Sequence, residues 1–136
     1  MFIINTYTKT RTNVYSLNYH LVWTTKYRKP IFNSDAKKQK LKDVVLNEAN
    51  NNSIIINEME ISEDHVHLLV SIPPKLSISS VVKILKGRSG FLYFKAYPNT
   101  KKDLYKGHLW SGSYFVSSIG GVTLDIIKKY IENQNK

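Results

Sequence analysis

No cysteine occurs in the 136 residues, which removes a disulfide framework, a thiolate zinc site and a cysteine nucleophile while leaving the compartment open. Apolar runs are also short. None approaches the roughly twenty residues of a membrane span, and the polar start Asn5-Thr6-Tyr7-Thr8-Lys9-Thr10-Arg11 lacks the apolar centre of a signal peptide. The expectation is a soluble cytoplasmic protein with no membrane partner. At this length the chain is one domain, able to bury a core without staples. Acidic residues are scarce: 10 Asp plus Glu stand against 20 Lys plus Arg, a formal charge of +10. That excess points to a polyanion, because cations that neutralise phosphates release condensed counterions. A solvated lysine-rich surface is the plain alternative. Nucleic acid comes before an anionic membrane surface, since no basic amphipathic helix with an apolar aromatic face is evident. Nine tyrosines add candidates for base stacking.

What is present reads as alternating strands and helices. Residues 1–13 form a lead-in. From Val14, Tyr15, Leu17, Tyr19, Leu21 and Trp23 alternate with Ser16, Asn18, His20, Val22 and Thr24, the period of one long strand. His20 then lies on the face opposite Trp23. The basic turn Lys26-Tyr27-Arg28-Lys29-Pro30 ends the strand. Ser34 and Asp35 cap a helix whose inner stripe is Ala36, Leu41, Val44, Val45 and Ala49, stopped by Asn50-Asn51-Asn52-Ser53. A strand over 54–61 carries Glu58 and Glu60 on one face, and a short turn leads into Asp64-His65-Val66-His67-Leu68-Leu69-Val70, so these two strands form a hairpin. Pro73-Pro74 closes the second of them. Ser77 or Ser79 caps a second helix with the stripe Ile78, Val81, Val82, Leu85, Ser89 and Leu92. Gly87 and Gly90 inside it suggest close packing or a kink. Lys83, Lys86 and Arg88 fall on its solvent side. After a loop at 98–103, residues 109–119 give an approach segment and a fourth strand. Gly120-Gly121 then precedes a tail helix within 122–136, with Thr123 as cap and Asp125 in its first turn.

The order is the α+β split βαβ arrangement of ferredoxin-like and RNA-recognition folds: a four-stranded antiparallel sheet with two helices on one face, plus the tail helix. Its core spans 14–119. In this topology the first and third strands are central neighbours, so His20 comes beside the histidine pair.

His65 and His67 are two apart in a strand and share a face, while Val66, Leu68 and Val70 take the other. Two imidazoles on one face can share a metal, or can simply be polar residues on a wet face. In the tail, Tyr130 and Gln134 are one helical turn apart and project from one side. Taken alone, Tyr130 would be core filling after Ile126, and Gln134 a frayed polar end.

Together, His65-Val66-His67, the serine-rich helix start, Trp110 through Gly120, the terminal Tyr130-x-x-x-Gln134, Tyr19-His20-Leu21-Val22-Trp23 and Lys26-Tyr27-Arg28 resemble the HUH single-tyrosine transposases of small insertion sequences that move as single-stranded DNA. The resemblance covers nearly the whole chain. It implies a site in which His65, His67 and Gln134 hold Mg²⁺ or Mn²⁺ and Tyr130 attacks a phosphodiester, giving a 5′-phosphotyrosine and a free 3′-OH. Histidines would also take Zn²⁺, Co²⁺ or Ni²⁺ in vitro. It further implies homodimers whose sheets join, a tyrosine helix able to serve the partner's histidines across a Gly120-Gly121 hinge, and recognition of hairpins near element ends. Asp64 and His20 are candidates to support the metal ligands, with Glu58, Glu60 and Glu63 as neighbouring acids. Lys26, Arg28, Lys29, Lys83, Lys86, Arg88, Lys128 and Lys129 are candidate DNA contacts, and His108 sits in a basic loop. The competing readings are a non-catalytic RNA-recognition-type binding module, which needs exposed aromatics at central sheet positions, and a replication or plasmid-transfer nickase using the same chemistry.

Overall fold

Alternating burial along two apolar strands builds the centre of the sheet. The computed structural model describes residues 8–104 and 107–119. Within them β1 (Thr8–Lys9) and β2 (Val14–Tyr15) form a small hairpin. The main sheet contains β3 (Asn18–Thr24), β4 (Ile55–Ile61), β5 (His65–Ser71) and β6 (Phe115–Ser118) in the order β4-β5-β3-β6. All its pairs are antiparallel, so the first and third long strands are central neighbours. Helices α1 (Asp35–Asn51) and α2 (Ile78–Ala96) complete the split βαβ order. The tail helix expected within 122–136 and the Gly120-Gly121 hinge lie outside the described residues.

One uninterrupted strand from Val14 to Thr24 is not what forms. Val14 and Tyr15 pair back onto Lys9 and Thr8, whereas sheet pairing begins at Asn18 opposite Ser71. The break between them is bridged by Asn18 Nδ2 donating to Ser16 Oγ at 3.2 Å. At this end Asn18 and Ser71 are buried, the Ser71 hydroxyl donates to Asn18 Oδ1, and Asn57 Nδ2 donates to Ser71 Oγ at 2.9 Å. Asn57 sits where the β4–β5 register shifts, so the bulge turns its amide toward that pair.

Leu21 and Trp23 of β3 and Val66, Leu68 and Val70 of β5 face the helices and are almost wholly buried. Over them lie Leu41, Val44, Val45 and Ala49 of α1 and Val81, Val82, Leu85 and Tyr93 of α2. Ala36 is exposed rather than part of the stripe, because stepping back by four from Leu41 and Val45 lands on Lys37. Ser34 Oγ accepts from Lys37 N–H and Ser77 Oγ from Ser80 N–H, so both serines act as caps.

Four aromatic residues lock one end of the core. Trp110 meets Trp23 edge-on at 5.9 Å and Phe32 at 5.6 Å, and Phe32 meets Tyr93 edge-on at 5.2 Å. Trp110 Nε1 donates to Lys86 O at 3.1 Å and Ser89 Oγ at 3.3 Å, which ties the segment before β6 to α2. Lys86 correspondingly does not point to solvent. Its position four after Val82 and three before Ser89 places it on the inner flank, where Nζ donates to Ser111 O at 2.6 Å and Ser113 O at 3.3 Å.

Of the two helical glycines, Gly90 is closely covered: a Cβ there would meet Trp110 Nε1 at 3.6 Å, an ordinary contact. Gly87 has nothing within 4 Å of a built Cβ, and α2 runs through it as one helix. Close packing or a kink therefore does not account for Gly87. Gly87→Ala should raise the unfolding free energy by about 0.5–1 kcal/mol through helix propensity alone, measured by urea denaturation. A decrease would show a steric or backbone demand at this position.

Candidate metal and nucleic-acid site

The face of the sheet turned away from the helices carries His20, Val22 and Thr24 from β3 opposite Leu69, His67 and His65 from β5. Because apolar residues alternate with these on both strands, burying the apolar set leaves the imidazoles together. The His65 and His67 rings lie 4.6 Å apart between centroids at 72°, and His20 stacks on His67 at 5.8 Å with 17° between planes. Phe115 of β6 closes the other side of His20, edge-on at 5.9 Å. The placement of His20 beside the pair follows from β3 and β5 being neighbours in this register.

Electrostatics prepare the pair unequally. Burial, and then the charges of His65 and His20, pull His67 down to about 4. Burial also lowers His20. His67 Nδ1 and His20 Nε2 are buried with no hydrogen-bond partner among the described residues.

His65 is held differently. Its Nδ1 lies 2.7 Å from Asp64 Oδ1, and Arg28 Nε donates to Asp64 Oδ2 at 2.9 Å. Burial pushes the Asp64 carboxyl up, but the hydrogen bonds from His65 and Arg28 outweigh it and hold the group below the usual carboxylate range. An ionised carboxylate only accepts, so His65 Nδ1 is the donor, and Nε2 is the nitrogen left to ligate. That is the arrangement in which a supporting carboxylate orients a ligating imidazole.

The donor set therefore suits a divalent cation taking nitrogen ligands, with two imidazoles offering lone pairs on one face. Among the described residues no group of three or more His, Asp or Glu side chains converges for a metal. Glu60 is opposite His67 in the β4–β5 register and Glu58 opposite Leu69, which sets them along the same face. Gln134, Tyr130, Lys128 and Lys129 lie outside the described residues.

The basic candidates separate by surroundings. Arg28 is engaged with Asp64, and Lys86 with two carbonyls, burial lowering the Lys86 ammonium from its ordinary value. Lys29 and Lys83 are exposed; Lys26 is half-buried, its Nζ 5.5 Å from the centre of the Tyr27 ring. Arg88 is exposed, 3.9 Å from Glu48 and 5.2 Å over the Phe91 ring.

The residue that sequence reasoning missed is Phe91. It is 53% exposed, and Lys95 lies 5.5 Å from its ring on the side chain's other approach. Phe91 and Phe94, the latter with Lys101 at 5.3 Å, border a groove of about 330 Å³ that His108 and Gly87 also line. The signal was available: Phe91 falls outside the apolar stripe of α2 while cations stand three before it and four after it.

The sequence matches the family described as Transposase IS200 like over residues 13–134. The ISDra2 transposase TnpA of Deinococcus radiodurans is 41% identical over 127 residues, 93% of this chain and 90% of that protein. The transposase for insertion sequence element IS200 of Salmonella typhimurium is 30% identical over 120 residues, 88% of this chain and 78% of that one. A solved structure from Deinococcus radiodurans R1 superposes with a TM-score of 0.75 at 39% identity, over 93% of this chain and 97% of that one. A REP-associated tyrosine transposase bound to a REP hairpin shares the fold, with a TM-score of 0.63 at 13% identity over 91% of this chain and 69% of that one. With the histidine-bearing sheet and these matches spanning nearly its whole length, the chain belongs to the IS200-like transposase family.

Proposed function

We propose that this transposase cleaves and rejoins single-stranded DNA at insertion-sequence ends, with Tyr130 as the nucleophile and a divalent cation, Mg²⁺ or Mn²⁺, held by His65, His67 and Gln134. The observation that carries the reading is the pair of imidazoles on one sheet face, 4.6 Å apart, with His65 already oriented by Asp64. When bound, the cation supplies Lewis-acid polarisation of the scissile phosphate. The Tyr130 oxygen forms the new bond to phosphorus, the bond to O3′ breaks, and the tyrosine proton ends on the freed 3′-OH. One ester replaces another, so a 3′-OH can later reverse the step without an external energy source. His67, kept neutral by burial, has one ring nitrogen that keeps its lone pair for a cation.

The binding-module alternative is disfavoured by a specific feature. The open-face positions of the two central strands are Asn18, His20, Val22, Thr24, His65, His67, Leu69 and Ser71, none of them the Phe or Tyr that such a sheet needs for stacking bases. Nucleic-acid contact is instead assigned to exposed Lys83, Arg88 and Lys29 and to the Phe91 ring flanked by cations, a stacking and phosphate-binding combination. Hairpin ends are the expected ligand, in line with the family resemblance.

A homodimer is supported by β6. Among the described residues it ends the sheet order, and Phe115 is 55% and Val116 36% exposed, an apolar edge of the kind that pairs with another strand. Light scattering on the eluting protein should give twice the chain mass, and Val116→Pro should return it to monomer; a monomeric wild type rules the dimer out.

Covalent chemistry is tested with labelled element-end single strands and Mn²⁺ on a denaturing gel. An adduct forms with the wild type and is lost in Tyr130→Phe, which keeps the ring. An adduct persisting in that variant removes Tyr130 as nucleophile.

The lowered His67 value also makes the metal-free protein acid-sensitive. Above pH 6.5 the ring is neutral folded and unfolded; between about 6.5 and about 4 the unfolded chain takes up a proton that the folded one refuses, so stability declines as pH falls through that window. Urea denaturation at pH 7, 5.5 and 4.5 should show a shallower decline in His67→Gln than in the wild type.

A further inference from the structure

We propose that Arg28 is a positioning residue for His65, acting through Asp64, and that the left-handed turn at Tyr27 and Arg28 serves to aim it. The inference rests on the reading of His65 as a metal ligand. Two consecutive non-glycine residues take positive φ, 60° at Tyr27 and 54° at Arg28, within the short 3-10 turn Lys26–Arg28. Such a pair is sterically disfavoured for L-residues and persists only where surrounding bonds enforce it.

Those bonds are present, and most of them lead to one place. Thr25 N–H donates to Asp64 O at 2.9 Å, and Thr25 Oγ1 donates to Lys29 O at 2.7 Å and approaches Asp64 O at 3.3 Å. Phe32 N–H donates to Glu63 O at 3.0 Å. The turn after β3 is thus stitched on both sides to the loop entering β5. Folded back in this way, it brings Arg28 Nε to one carboxylate oxygen of Asp64, leaving the other for His65 Nδ1. Each oxygen has one donor, and the three side chains form a single chain of charge-assisted bonds ending on the imidazole.

The side chain of Arg28 is 64% exposed, so its removal takes little from the core. A generic basic turn would point its cations outward toward DNA. Here the backbone carries an unfavourable conformation that directs one of them across the surface to Asp64, next to His65.

The test uses the full chain as wild type, Arg28→Ala, Arg28→Lys and Asp64→Ala, with three readouts. Long-range ¹H–¹⁵N spectra of the metal-free protein report the His65 tautomer, a Mn²⁺ titration reports affinity for the ion alone, and a labelled single strand without metal reports DNA binding. The wild type should show one tautomer with the proton on Nδ1. Asp64→Ala should mix the tautomers and weaken Mn²⁺ about tenfold to a hundredfold. Arg28→Ala should loosen the tautomer preference and weaken Mn²⁺ by a smaller factor, with partial recovery in Arg28→Lys. If Arg28→Ala leaves tautomer and Mn²⁺ affinity at wild-type values and weakens only the strand, Arg28 is a DNA contact and the proposal is overturned. If the variants change the tautomer while the wild type binds no Mn²⁺, the positioning role is supported and the metal reading fails.

Discussion

Burial of Val66, Leu68 and Val70 beneath the two helices is the constraint from which the functional face follows. With those three side chains inward, strand alternation turns His65 and His67 outward together. A shift of one residue would bury both imidazoles and expose three branched aliphatic side chains. The energetics of packing and the placement of the histidines are therefore the same fact seen from two sides of one strand. Trp23 and Leu21 do the same for His20 on the neighbouring strand.

Much of this was legible in the residues because it depends on short-range periodicity. The β4–β5 hairpin, the two serine caps, the four-stranded order and the shared face of His20, His65 and His67 all follow from spacing two or spacing three to four. What escaped depends on distant partners. Lys86 reads as a solvent lysine until Ser111 and Ser113 come back across α2 to receive its ammonium. The split between β2 and β3 is invisible in an alternating pattern, since it arises from which strand each half pairs with. Gly87 attracts a packing explanation from sequence, but the space beside it is open, because no distant segment among the described residues comes to cover it. Phe91 lay off the apolar stripe, and its significance depends on the cations gathered around it.

The site is built from polar groups that differ in how they are satisfied. His65 is fixed by an ionised carboxylate that is itself held by a guanidinium, while His67 and His20 have buried nitrogens without partners among the described residues. One imidazole is oriented in advance by hydrogen bonds and the other is kept neutral by burial and neighbouring charge. Two chemically identical side chains two residues apart are thus given different surroundings, one by a hydrogen-bonded carboxylate and one by burial.

The buried contact between Asn18 and Ser71, joined by Asn57, lies at the far end of the β3–β5 pair from His65. Helix burial distinguishes the two faces of a strand but is blind to a slip of two residues, which leaves every side chain on its own face. The amide and hydroxyl are not: a two-residue slip would part them, setting Asn18 opposite Leu69 or Pro73 and Ser71 opposite Ser16 or His20, with the bond between them unmade, a cost typically of about 1–3 kcal/mol for each stranded group. This small polar cluster acts as a vernier for the sheet. It sets Val22 against His67 and Thr24 against His65, so the alignment of the histidine site is fixed at the opposite end of the strands that carry it.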